Sequence, residues 1–246
     1  MNRSGLTALG LITFLLAGWE GAVRIWTIPV FILPPPSLIL KTAVVQAPMI
    51  LPHAAVTGTE IVLGIVLALT TAIPLAIAMF ARPVLEKALS PFLVASQAIP
   101  VFALAPLLVI WLGYGMASKV FMAWIIIFFP ITVSLVQGLK SCDPEYRTLF
   151  SLMGASFLKT LTLLYWPWAL PRFFAGLRVG VSVATIGAVI GEWVGAQQGL
   201  GFLMIQSNAR LQTPLVFAAI LWLAAMGMAL WTLVGTLEKK IITWNT

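Results

Sequence analysis

Apolar residues run along this chain in six long blocks, each close to the roughly 20 residues that cross about 30 Å of hydrocarbon as a helix. They cover Leu6 to Val23, about Ala55 to Phe80, Pro91 to Leu112, Lys119 to Leu139, Phe173 to Val194 and Pro214 to Leu237. Polar or helix-breaking residues separate them: the Pro-rich stretch Ile28 to Pro36, where successive prolines impose extended backbone, the charged turn at Arg82, Glu86 and Lys87, the Gly113-Tyr114-Gly115 break, and a Gly- and Gln-containing loop around Gln197 to Gln212. The longest interruption, Lys140 to Pro171, has a pattern of its own. Leu149, Phe150, Met153, Phe157, Leu161 and Leu164 recur in it at helical spacing, with Thr148, Ser151, Ser156, Lys159 and Thr160 on the other side. That periodicity predicts an amphipathic helix or a short helical pair, lying in the headgroups or offered to a partner. Gly154 favours the partner, because a helical glycine costs about 1 kcal/mol against alanine and permits a sharp turn or a close approach by another chain. Pro167 and Pro171 are expected to end the segment and to lead into the fifth block.

Composition sets the solvent. Over 246 residues, 61% are hydrophobic and 9% charged, with a mean hydropathy of +1.06, so the expected fold is an all-α polytopic membrane protein with six transmembrane helices. Residues 1–54 hold the first helix and a Pro-rich periplasmic segment; residues 55–240 form the core, which carries the cytoplasmic loop 140–171. The first block begins behind Arg3 like a signal peptide, but Glu20 to Trp26 lacks a small-residue cleavage site, so a retained helix is expected. With the amino terminus inside, Arg3, Arg82, Lys87, Lys140, Arg147, Lys159, Arg172, Lys239 and Lys240 fall inside, and Arg24, Lys41, Lys119 and Arg210 outside. Nine against four places both termini in the cytoplasm. The same bias accounts for the net charge of +7 without a nucleic-acid partner.

Little here resembles catalytic chemistry. One cysteine, Cys142, excludes an intrachain disulfide, and one histidine, His53, excludes metal sites that need several imidazoles. No G-x-x-x-x-G-K-[ST] phosphate loop is present. The chain is therefore expected to hold no catalytic residue, metal or cofactor, and any ATP that drives it would be bound by another subunit. Glu60, Arg178 and Glu192 fall inside apolar blocks, where ionisable groups are costly. Each has two readings, interfacial or snorkelling on one hand and substrate contact on the other, and their spacing is too wide in sequence for a proton relay. Pro100 and Pro106 are expected to interrupt the third block, beside a cavity or as kinks at packed interfaces. Gly187, Gly191 and Gly195 permit close helix approach, within one subunit or between two.

The spacing Gly154, nine residues, Leu164, Trp166, Pro167 resembles the cytoplasmic Glu-Ala-Ala loop of binding-protein-dependent ABC importer permeases. The departure is at the positions that give the loop its name, where Thr148, Leu149 and Phe150 stand. Gln97 to Leu107, Trp111 to Gly115, Phe128-Phe129-Pro130, Ala175 to Arg178 and Gly199-Leu200-Gly201 are similar to the permeases grouped with sulfonate, taurine, nitrate and thiamine-precursor uptake. Ala98 to Ala105, Gly191 to Gly195 and Asn208 to Thr213 look most like those for a hydroxymethylpyrimidine-type thiamine precursor. The resemblance implies a type I ABC importer permease fold in the cytoplasmic (inner) membrane. It implies a separate ABC ATPase subunit carrying ATP and Mg, which docks at Met153, Gly154, Ala155, Ser156 and Phe157, with Pro167 and Pro171 serving the coupling. It further implies a substrate-binding protein outside, a second permease copy, and a pathway touching Gln97, Pro100, Trp111, Glu192 and Trp193. The alternatives are an alkanesulfonate, taurine or nitrate permease, and a stand-alone secondary transporter. The latter should show internal repeats and paired membrane acids near the midplane, and neither is visible in the sequence.

Overall fold

The computed structural model describes residues 3–244, without the side chains of residues 3–6, 8 and 9, so the side chain of Arg3 and both chain ends lie outside what is described. Every regular element among the described residues is helical. In chain order they are α1 (Arg3–Ile25), α2 (Pro36–Val45), α3 (Ala47–Ala81), α4 (Pro83–Ala98), α5 (Val101–Leu112), α6 (Met116–Lys140), α7 (Pro144–Leu152), α8 (Phe157–Trp193), α9 (Leu200–Ala209) and α10 (Thr213–Ile241).

Four of these, α3, α6, α8 and α10, are long and apolar enough to span a bilayer, and α4 with α5 makes a fifth if a bent pair counts as one span. The predicted third span is therefore not straight. Pro100 withdraws a backbone donor and forces Ile99 into extended backbone (φ −78°, ψ 122°), and the two helices meet at 100°. Pro106 breaks nothing, since it lies inside α5. Two other boundaries also move. The loop predicted at Gln197 to Gln212 contains α9, and the fifth span begins at Phe157 instead of Phe173. Pro167 and Pro171 do not end the cytoplasmic-loop segment: both sit inside α8, behind a π-turn at Leu161–Tyr165 where the Trp166 N–H reaches back to the Leu161 carbonyl. A wide turn of this kind absorbs the donor a proline lacks without breaking the helix.

The described residues fall into two compact units. The first gathers Met1–Val56 with Gln197–Ala224. Here Glu20 accepts from the Ser37 N–H (3.0 Å) and hydroxyl (2.7 Å) at the start of α2 and pairs with Arg24 at 2.6 Å. His53 Nδ1 accepts from the Gly199 N–H at 3.1 Å, which fixes the lone histidine in a structural contact. Thr213 donates to the Phe31 carbonyl (2.6 Å) and Trp222 to that of Ala43 (3.3 Å).

The second unit gathers Thr57–Ala196 with Ala225–Thr246 around the pairing of α6 with α8. Small residues let the two backbones touch: a Cβ on Gly176 would lie 2.5 Å from that of Ser134, and one on Gly187 2.8 Å from the Ala123 Cα. The close-approach glycines of the fifth block thus pack inside one subunit. Ile127, Ile131, Leu135, Val181, Ala184 and Ala188 fill this seam, with Ile61, Ala68, Ala72 and Ala76 of α3 buried in the same core. Arg178 pairs with Glu238 at 2.6 Å and lies over the Trp231 ring, so of its two readings the structure favours a structural one.

Candidate functional site

The segment between α6 and α8 is built by three short-range devices. Asp143 accepts from the Glu145 N–H at 2.9 Å and Pro144 occupies the first helical position, which together start α7. Gly154 then ends it with a left-handed residue, φ +66°. The Ala155 N–H returns to the Phe150 carbonyl (3.1 Å) and the Gly154 N–H to that of Ser151 (3.0 Å), the paired bonds of a Schellman termination. Ser156 follows at once as the cap of α8, accepting from the Lys159 N–H. The amphipathic pattern therefore resolves as a helical pair broken at Met153 to Ser156.

Side chains fasten α7 to the unit beneath. Arg147 donates to the Lys140 carbonyl at 2.5 Å and lies 5.7 Å from the Tyr165 ring centre; Tyr146 packs on Trp168, whose indole donates to the Ser141 carbonyl at 3.1 Å. Tyr146 and Trp168 escaped the sequence reading, and Arg147 entered it only as an inside cation, although the Asp143-Pro144 start could have located the helix they hold. Cys142 is buried beside them, and burial pushes its thiol up from the ordinary range against the opposing pull of Arg147. Thr148, in the position of the missing carboxylate, turns its hydroxyl back onto the Pro144 carbonyl at 3.0 Å. No α7 side chain is buried, and Leu152 (81% exposed), Met153 (73%), Leu149, Phe157 and Leu158 present an apolar face. A contiguous exposed face of this kind on a membrane-flanking segment suits protein docking.

The pathway candidates differ in their settings. Gln97 and Pro100 lie exposed at the α4–α5 corner, Trp111 is exposed at the far end of α5, and Trp193 is exposed at the end of α8. None of them lines the cavity of about 220 Å³ bounded by Leu75, Phe92, Ser96, Trp124 and Phe128. Glu192 is in a different setting. It is 1% exposed and accepts from the Thr57 hydroxyl at 2.6 Å. Glu60, three residues along α3 from Thr57, and Lys119 are buried as well, at 2% and 3% exposed. Neither acid reaches interfacial water, which corrects one of their two expected readings. Far apart in sequence, Glu60 and Glu192 are both buried in the second unit, where α8 brings Glu192 to the Thr57 hydroxyl of α3. Lys119, taken from sequence as one of the outside loop cations, is a buried member of this group.

Comparison with known proteins gives these features a context. Residues 60–243 match the family described as binding-protein-dependent transport system inner membrane component. A probable ABC transporter permease protein of Haemophilus influenzae is 40% identical over 98% of each chain. The formylaminopyrimidine transport permease protein of Halalkalibacterium halodurans is 37% identical over 94% of this chain and 92% of its own. The riboflavin transport system permease protein of Chloroflexus aurantiacus is also 37% identical, over 100% and 93%. A family match across most of the helical membrane scaffold, the segment between α6 and α8 included, places this chain in the binding-protein-dependent transport system inner membrane component family, as the multi-pass inner-membrane permease of an ABC importer whose ATPase is a separate subunit.

Proposed function

We propose that this permease carries a pyrimidine precursor of thiamine into the cell. It acts with six spans, α1 being the sixth, and keeps both termini and residues 140–171 on the cytoplasmic side. Two identical copies would pair around a two-fold axis with the solute passing between them. The observation that carries the substrate reading is the near full-length similarity to the formylaminopyrimidine permease. The segments Ala98 to Ala105 and Gly191 to Gly195 support it through their likeness to pyrimidine-precursor permeases.

In this reading the ATPase, with its ATP and Mg, engages Met153, Gly154, Ala155, Ser156 and Phe157, where the exposed apolar face is broken by a rigid turn. Pro167 and Pro171 serve the coupling from inside α8, behind the π-turn. Gln97, Pro100, Trp111, Glu192 and Trp193 are the residues assigned to the pathway; four are exposed on the second unit, and Glu192 would act from its buried position.

The test is growth rescue in a host lacking thiamine-pyrimidine synthesis and uptake, supplied with this permease, its own ATPase and its binding protein, on trace precursor. Growth that disappears on Gly154→Arg is expected. Growth instead on riboflavin in a riboflavin-requiring host, the reading favoured by the Chloroflexus relative, or on an alkanesulfonate as sole sulfur source, would overturn the pyrimidine assignment and reassign the substrate. Transport without the ATPase would remove the coupled mechanism altogether and leave a secondary transporter.

A further inference from the structure

Lys140 ends α6 and is held from two sides. Its ammonium donates to both oxygens of Glu86, near the start of α4, at 2.8 and 3.0 Å. Its carbonyl is one of the last four of α6, which have no partner inside the helix, and accepts from the Arg147 guanidinium of α7 at 2.5 Å. Arg147 lies in turn over the Tyr165 ring, 5.7 Å from its centre. The side chain and the main chain of one residue thus tie α4 to α7.

Packing alone does not fix α4 at this end. No residue of α4 is buried, and Leu85, Leu89 and Leu93 meet the core only partly covered. Behind the ion pair a cavity of about 170 Å³ lies among α3, α4 and α6, bounded by Met79, Glu86, Ser90, Val94, Thr132 and Gln137. A void leaves its lining without contacts on one side, so here α4 is held to α6 by charge and not by interdigitated side chains. The pair contributes little to folding, because the Lys140 side chain is 52% exposed and that of Glu86 23%, and water screens such a pair. A contact of this kind sets where α4 sits without deciding whether the chain folds. At its other end α4 meets the Pro100 corner, where the chain turns by 100°, so a displacement of the inner end is carried to that corner.

We infer that Lys140 is a positioning residue for coupling: it passes a displacement of α7 to α4, receiving it from Arg147 through its carbonyl and delivering it to Glu86 through its ammonium. The inference rests on the reading that the ATPase engages Met153 to Phe157, directly after α7. It is independent of which solute the importer carries.

The test uses the full permease with its own ATPase in lipid nanodiscs. Spin labels on Val84→Cys of α4 and Leu163→Cys of α8, both exposed positions, in a Cys142→Ala background, report their separation before and after ATP with Mg is added. The separation should change on addition. Glu86→Gln and Lys140→Gln should each keep the ATPase bound and melt within about 3 °C of the parent, yet lose at least half of that change. Exchanging the charges, Glu86→Lys with Lys140→Glu, should restore most of it, which a merely structural role does not predict. A parent separation that ignores the nucleotide, an undiminished change in the single variants, a single variant that sheds the ATPase, or an exchange that restores nothing would each overturn the assignment. Failure of the docking reading shows separately, as a Gly154→Arg permease that still retains the ATPase.

Discussion

A Cβ added at Gly154 would meet no heavy atom of the chain within 4 Å, its two neighbouring residues aside. The cost of substitution is then the left-handed backbone, about 1–2 kcal/mol for a residue with a Cβ, and the bulk would face outward. Gly154→Arg should therefore lower the melting temperature by only a few degrees while abolishing co-purification of the ATPase; a variant that melts early and still holds the ATPase would remove Gly154 from the docking surface. Twelve residues upstream, Cys142 makes a chemical prediction. Burial raises its thiol, so less thiolate is present at neutral pH than in a free cysteine. Maleimide labelling of the native chain should be at least ~10-fold slower than that of glutathione at pH 7.5, and should accelerate through a higher pH range; equal rates would show that the thiol is open. Gly154 was legible in sequence because a glycine inside an amphipathic period has few explanations. Lys119 was not, since a lysine near the start of an apolar block reads as an interfacial anchor, and only the folded chain shows it 3% exposed and donating to the Tyr114 and Gly115 carbonyls.

Helices in this chain respond to proline according to what replaces the missing donor. Pro100 has extended backbone before it and turns the chain by 100°, whereas Pro106, Pro130 and Pro171 stay inside continuous helices. The sequence cannot distinguish these cases, because tolerance depends on neighbouring helices and on local π or 3₁₀ adjustment. The same ambiguity hid α9: ten residues with glycines ahead and polar groups at its end carry no strong period. The corner itself can be measured. Spin labels at Val84 and Ile110, in a Cys142→Ala background, would be about 39 Å apart on a straight helix at 1.5 Å per residue, and about 24 Å apart around the observed bend. The short distance is expected, and Pro100→Ala should add a longer component. A single long distance in the unaltered corner would show that the bend does not persist.

At the scale of the molecule, hydrophobic blocks and cation placement carried most of what was readable. They gave the helical class, all four of the unbroken spans and the polar segment that separates α6 from α8. What they missed was which polar groups end up buried, because burial is a property of packed neighbours and not of the block a residue occupies. Orientation can be tested with two positions of the second unit. Leu152→Cys, on the exposed face of α7, should be shielded from a membrane-impermeant maleimide in intact cells and react in inverted vesicles; Tyr114→Cys, beyond the other end of α6, should do the reverse. Swapped reactivities would invert the topology inferred from lysine and arginine. The length of α8 has a mechanical meaning as well. Its 37 residues make a rod of roughly 55 Å at 1.5 Å per residue, seated at Ser156 beside the Gly154 turn and at Glu192 against the Thr57 hydroxyl. A tilt of about 5° forced at one seat sweeps the other by about 5 Å over that length, so a small displacement at the Gly154 turn becomes a lever stroke at the opposite end, and the π-turn ahead of Pro167 and Pro171 is the place where such a lever would flex and lose travel.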